Sequence, residues 1–223
     1  YILTKTGFLH SLWLTLFVTV IGAVVGLVIT ILMAYPLSKP QLKGRKFFLY
    51  MVVFSMLFYG GIVPSYFVMK QYGMSNTVFA LIVPHIFSPF NMLVMKTFFE
   101  GIPESLEESA RIDGAGNLRI LLSIVLPISL PTLATIGLFY AVTYWNNYNH
   151  PRIFVSRSDL MHLTVFLHGV INSSEESGEL ISMTTASNIS SGNYQAGVII
   201  LSALPMMILY PFVHGLTLGS VKG

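Results

Sequence analysis

The sequence predicts an all-α membrane protein, a bundle of transmembrane helices, and three observations carry that prediction. Hydrophobic residues fill 54% of the 223 positions and charged residues only 9%. A soluble domain carries about 25% charged residues to cover its wet surface. Mean hydropathy is +0.73. Apolar runs near 20 residues, the length that crosses a hydrocarbon layer, recur five times. In lipid each backbone N–H and C=O must pair within its own segment, so such runs become helices.

The first span is expected over about 11–35. Gly22, Gly26, Thr30 and Ala34 fall four apart along it, a stripe of small residues that lets a second helix approach closely. The second span is expected over about 47–69, with Gly60-Gly61 and Pro64 inside it. The third runs over about 76–99 and contains Pro84 and Pro89. The fourth runs from 120 or 127 to 145, with Pro127 and Pro131 at its start. The fifth, over about 194–212, contains Pro205. Each proline removes a backbone donor and bends its helix, either as ordinary membrane-helix kinking or to shape a cavity or gate.

Basic residues set the orientation. Lys39, Lys43, Arg45, Lys46, Lys96, Arg111, Arg119 and Lys222 fall on one side, and Lys5, Lys70, Arg152 and Arg157 on the other. Eight against four places the first set in the cytoplasm, with the C-terminus. An odd number of spans follows, and any earlier span would precede Tyr1. The chain starts without Met and without a signal-peptide pattern, so the numbering is expected to begin inside a larger protein.

The cytoplasmic loop over about 100–127 is polar where a simple connector need not be. Pro103 suits the first turn of a short helix, and Glu104, Glu107 and Glu108 favour its positive end. Leu106, Ala110 and Ile112 give it a narrow apolar side for packing on the bundle, with the acids and Arg111 on the other. Gly114 ends the helix in a left-handed conformation. Asn117 is expected to cap a second helix over 118–126 that leads into Pro127. On charge and periodicity alone, an interfacial amphipathic helix fits equally well.

Glu108-Ser109-Ala110-Arg111-Ile112-Asp113-Gly114, followed by Ile124-Val125-Leu126-Pro127, meets the pattern E-x-A-x3-G-x9-I-x-L-P. This resembles the "EAA loop" of bacterial ABC-importer permeases, with Ser109 in place of the usual first Ala. Ala34-Tyr35-Pro36-Leu37-Ser38, the 91–99 stretch, Phe139-Tyr140-Ala141-Val142, Trp145-Asn146 and the closing Gly219-Ser220-Val221-Lys222-Gly223 extend the resemblance over nearly the whole chain. They are similar to the second permease of maltose-type carbohydrate importers, in the polysaccharide and complex-oligosaccharide subgroup. The resemblance implies one type I permease domain over 1–223, with five transmembrane helices of six, the first preceding Tyr1. It also implies a few more residues between Tyr210-Pro211-Phe212 and His214-Gly215 than this chain has.

By resemblance Glu107, Glu108, Ser109, Ala110, Arg111, Asp113 and Gly114 form the segment that docks in an ATPase groove and couples its closure to the gate. The implied partners are a second permease, two copies of an ATPase subunit, an extracellular solute-binding protein, a carbohydrate and membrane lipid, in the bacterial cell membrane. No cofactor is expected in this chain. It has no G-x4-G-K-[ST] loop, so ATP and Mg2+ belong to the partner ATPase.

The substrate-pathway candidates are Asn91, Tyr144, Trp145 and Asn146. Aromatic faces stack on sugars and amides bond hydroxyls. Tyr144, Trp145 and Tyr148 also suit an interfacial aromatic belt, and Ser88 and Asn91 suit helix–helix hydrogen bonding. His85 beside Pro84 is a weak relay candidate without an acidic partner. The external loop over about 150–193 is long enough to be functional, either meeting the binding protein or running solvated. Leu160, Leu163, Leu167 and Val170 give it a short amphipathic helix, and Ser173 to Glu179 a polar tip.

Other classes fit less well. An ion-coupled secondary transporter is the alternative, but internal repeats and buried ionisable groups are missing from the sequence. An intramembrane enzyme would need H-E-x-x-H or a Ser/His pair within the spans. With no Cys there is no disulfide or thiolate metal site. No basic cluster with interleaved aromatics suggests nucleic acid.

Overall fold

The computed structural model describes residues 7–169, together with Ile200 and Ala203. Apart from Ile200 and Ala203, the fifth predicted span lies outside the described residues, as do Val170 and the 173–179 tip. Helix α1, Phe8–Ser38, is a single unbroken helix of 31 residues, about 46 Å long at 1.5 Å per residue. Its apolar run holds no proline before Pro36, which sits in the last turn.

The second predicted span is not one helix. It divides into α2, Arg45–Leu57, and α3, Ile62–Gln71, bent by 113°. Gly61 takes φ +89 at the break, a conformation that side-chain-bearing residues avoid. The third span divides into α4, Phe79–Ile82, with a 3₁₀ turn Val83–His85, and α5, Pro89–Glu100, bent by 51°. Ser88 caps α5 by accepting from the Asn91 N–H at 3.3 Å.

The polar helix α6, Glu104–Ile112, follows. The next segment is α7, Asn117–Ile120, a π-helical turn Leu121–Val125, and α8, Leu126–Ile128. It departs from the expected 118–126 helix capped by Asn117. Gly116 is the cap and Asn117 the first helical residue. The fourth span proper is α9, Leu130–Trp145, which leaves that segment at 84°. Pro127 removes a donor just before the bend. At the bend Ser129 Oγ donates to the Val125 carbonyl at 2.6 Å. Pro131 lies in the first turn of α9, where its missing N–H has no helical partner to lose. One helix and three bent pairs are therefore long and apolar enough to cross a membrane among the described residues.

The core forms where α1 packs on α9 and α5. The expected small-residue stripe lies at this contact. A Cβ at Gly22 would meet the Tyr144 ring at 2.5 Å, and one at Gly26 would meet Tyr140 at 2.9 Å. The two tyrosines, themselves four apart, lie over the two glycines. The Ser88 N–H donates to Tyr140 Oη at 3.0 Å, and Tyr140 Oη and Thr30 Oγ1 share a hydrogen bond of 2.7 Å that either hydroxyl can donate. Tyr144 Oη donates to the Ile82 carbonyl at 2.7 Å.

The loops collect at two ends. At one, His10 reaches the Asp159 carbonyl at 2.6 Å and the Leu163 N–H donates to Thr15 Oγ1 at 2.8 Å. The Ser156 N–H donates to Asn76 Oδ1 there, also at 2.6 Å. Helix α10, Asn149–Phe154, and a 3₁₀ turn Ser158–Leu160 belong to this end. The expected amphipathic helix begins later than Leu160. His162 accepts the Phe166 N–H at 3.0 Å on its carbonyl, and residues 163–169 are helical. Leu163 is buried against Phe8 and Trp145, whereas Leu160 stays in the turn. The opposite end carries Lys39, Arg45, Lys96 and Arg111, and is termed the basic end.

Two predictions follow from this packing. Gly22→Leu should cost about 1–3 kcal/mol by overpacking, read as a lower thermal midpoint of the purified protein. Gly137→Ala, whose new Cβ would have Leu27 Cδ2 as its nearest neighbour at 3.7 Å, should leave the midpoint level or higher. The second concerns pH. Burial pushes the His162 imidazole down to about 4 from 6.5. Between those values the unfolded chain holds a proton that the folded chain does not. Stability is thus complete above about pH 6.5 and falls as pH drops toward 4. His150, also lowered by burial, adds in the same direction. A thermal-midpoint series across that window should be shallower for His162→Gln.

Candidate functional site

Helix α6 is short, acidic at its start and closed at both ends by backbone geometry. Pro103 precedes it with extended ψ 127 and is its cap rather than its first helical residue. Glu104 and Glu107 lie in the first turn, beside the helix's positive end. At the other end the Gly114 N–H donates to the Arg111 carbonyl at 3.0 Å and the Ala115 N–H to the Ala110 carbonyl at 2.9 Å. This pair of bonds is the Schellman arrangement, and it requires the left-handed residue that Gly114 supplies with φ +82.

The faces of α6 depart from expectation. Leu106 and Ile112 were expected against the bundle, yet Leu106 is exposed and Ile112 is 87% exposed. The inward residues are Glu107, only 3% exposed, and Ala110, which packs with Ala115 and Ile102 on the core. Glu107 therefore does not face outward with the other acids. It forms an ion pair with Lys39, the residue that ends α1, and Arg111 approaches it at 4.0 Å. Helical spacing explains the inversion, since Glu107, Ala110 and Arg111 share one side through i+3 and i+4. The outward side shows Glu108, Ser109, Ile112 and Asp113.

Further polar contacts tie this loop to the chain between α1 and α2. Gln41 Nε2 donates to Glu104 Oε1 at 3.2 Å. Arg45 pairs with Glu100, which also takes Lys96 at 2.8 Å, and Arg45 Nε donates to the Leu37 carbonyl at 2.8 Å. Basic residues from one predicted cytoplasmic loop thus meet acids from the other. A cleft of about 500 Å³ opens beside α6, lined by Tyr35, Lys39, Arg111 and Leu118 among others.

Three of the four substrate-pathway candidates are enclosed. Tyr144 is fully buried over Gly22, and Trp145 is buried against Phe8 and Leu163. Both are packing residues of the described bundle. Asn91 is buried beside the Ser88 cap. Asn146 is exposed, its amide donating to the Val142 carbonyl at 3.0 Å. The repeat of four at Gly22/Gly26 matched by Tyr140/Tyr144 was the sequence signal for the buried role. His85 has a partner the sequence did not suggest, His150, at 3.1 Å between ring nitrogens. Among the described residues no three His, Asp or Glu side chains converge to hold a metal.

A bundle of one straight and three bent apolar spans, with one polar helix held by ion pairs at its basic end, defines a helical integral membrane protein. The comparisons with known proteins give that class its family. The chain is 42% identical, over a 229-residue alignment covering 100% of it and 80% of the relative, to the polygalacturonan/rhamnogalacturonan transport system permease protein YtcP of Bacillus subtilis (strain 168). It is 39% identical to Protein LplC of the same organism, covering 100% of this chain and 77% of that protein. It superposes with a TM-score of 0.88 and 32% identity on a chain in the crystal structure of a bacterial ABC transporter involved in the import of the acidic polysaccharide alginate, covering 96% of this chain and 76% of that one. No protein-family model matches the chain. The chain belongs to the permease subunits of ABC importers.

Gly114→Val should loosen the end of α6, because a β-branched residue at positive φ costs about 1–2 kcal/mol. Hydrogen exchange at the Gly114 and Ala115 positions should rise several-fold, with little change at the core of α1.

Proposed function

We propose that this permease forms half of the pathway for an oligo- or polysaccharide, with a second permease as the other half. Residues 1–223 act as one transmembrane domain in a bacterial cell membrane. The basic end faces the cytoplasm, as the distribution of Lys and Arg supports. There α6 docks on a separate ATPase subunit, which supplies ATP, Mg2+ and hydrolysis. An extracellular binding protein delivers substrate to the opposite end. Carbohydrate as cargo is supported by the polygalacturonan/rhamnogalacturonan named for YtcP and by the acidic polysaccharide alginate named for the structural neighbour.

The observation that carries the docking role is the outward face of α6. Glu108, Ser109 and the almost fully exposed Ile112 stand on a helix whose inner side is pinned. An exposed large apolar residue next to charges, on a rigid support, is what a protein groove recognises. Closure of the ATPase dimer would then move α6 and bias the bundle between inward-open and outward-open states.

Purified from its native host, the permease should bring down an ATPase subunit. In proteoliposomes the complex should hydrolyse ATP faster when binding protein loaded with acidic oligosaccharide is added. Glu108→Lys or Ile112→Asp should reduce ATPase association at least tenfold, measured by co-purification. Normal association with both variants would contradict docking through α6.

A further inference from the structure

Glu107 stands immediately before the E-x-A-x3-G frame; the resemblance counts it with the docking segment, but its burial takes it off the outward face that a partner could touch. It is the most deeply buried charged side chain of the polar loop, 3% exposed. A carboxylate removed from water needs a cation or hydrogen-bond donors to offset its lost hydration. Its closest cation is Lys39, the residue directly after α1, with Arg111 of its own helix at the edge of pairing distance. Lys39 is itself held. Its backbone N–H donates to the Pro36 carbonyl at 3.1 Å, and its ammonium lies 5.1 Å from the centre of the Tyr35 ring.

The two helices so joined have unequal reach. Helix α6 has nine residues at the basic end, while α1 spans the full depth of the bundle with 31. Along α1 lie Gly22 and Gly26 under Tyr144 and Tyr140, and Thr30 bonded to Tyr140. Those tyrosines hold the break in the third span through Ile82 and Ser88. We propose that Glu107 and Lys39 are positioning residues that fasten α6 to α1, so that displacement of α6 is passed into α1 rather than absorbed by the loop. Arg45–Glu100 is a flanking tie of a different kind. Both its partners are a quarter or more exposed, so water can replace them.

This rests on the proposed coupling role of α6, and the experiment separates the two. The intact transporter, with partner permease, ATPase and binding protein, is reconstituted carrying Lys39→Met, Glu107→Gln, the exchanged pair Lys39→Glu with Glu107→Lys, or Glu100→Gln. Assembly, basal ATPase and stimulation by loaded binding protein are measured. The two single variants should assemble and keep basal hydrolysis within about twofold, but lose at least five-fold in stimulation. The exchanged pair should recover most of it, and Glu100→Gln should stay near wild type. Full stimulation in the single variants would overturn the proposal. So would an exchanged pair no better than either single change. Failure of the single variants to assemble would also overturn it, since the pair would then hold the fold and not carry motion. A wild-type complex without any stimulation would instead contradict the coupling role itself.

Discussion

Two glycines on α1, one turn apart, let two tyrosines of α9 lie against the backbone of the only unbroken span among the described residues. The break in the third span depends on that closeness. Where α4 and its 3₁₀ turn give way to α5, backbone groups near Ile82 and Ser88 lose regular helical partners. In hydrocarbon such groups cost several kcal/mol each if left bare. Tyr144 donates to the Ile82 carbonyl and Tyr140 accepts from the Ser88 N–H. Neither hydroxyl would reach if α9 were held off by side chains at positions 22 and 26. A bulky residue there would therefore disturb the break in the third span, through the tyrosines and, at position 26, also by meeting the Ile86 carbonyl at 3.1 Å.

This arrangement sets what the sequence could disclose. Helix α1 was legible because an uninterrupted apolar run has one solution in lipid. Its small-residue stripe announced a close neighbour without saying which. Prolines and Gly60-Gly61 marked the bends but not their angles, which reach 113° at the break where Gly61 adopts a positive φ. Tyr144 and Trp145 looked like pathway residues since an aromatic near a span end serves a belt, a sugar site or a core with equal ease. In the described bundle Tyr144 packs over Gly22 and Trp145 against Phe8 and Leu163, contacts between residues distant in sequence that a local pattern does not reveal.

The polar loop was read more accurately in its ends than in its faces. Pro103 and Gly114 bound α6 as local backbone chemistry requires. The face was misjudged because apolar residues were expected inward, whereas the inner side is occupied by a carboxylate neutralised by Lys39. A cation 68 positions away cannot be paired by periodicity. The inversion has a consequence for the proposed coupling role. Burying Glu107 leaves Leu106 and Ile112 outside, so the outward face is both charged and apolar. Under that proposal the helix is fastened to the bundle on one side and offers the other to a partner, as a part that transmits force between two bodies must.

The chain contains no Cys, so single cysteines can report which face of α6 meets the ATPase. In the assembled transporter, Ile112→Cys should cross-link to the ATPase subunit through a short thiol-to-amine reagent, while Ala110→Cys, on the inner side, should not. Cross-linking from Ala110 but not from Ile112, or from neither, would contradict the account.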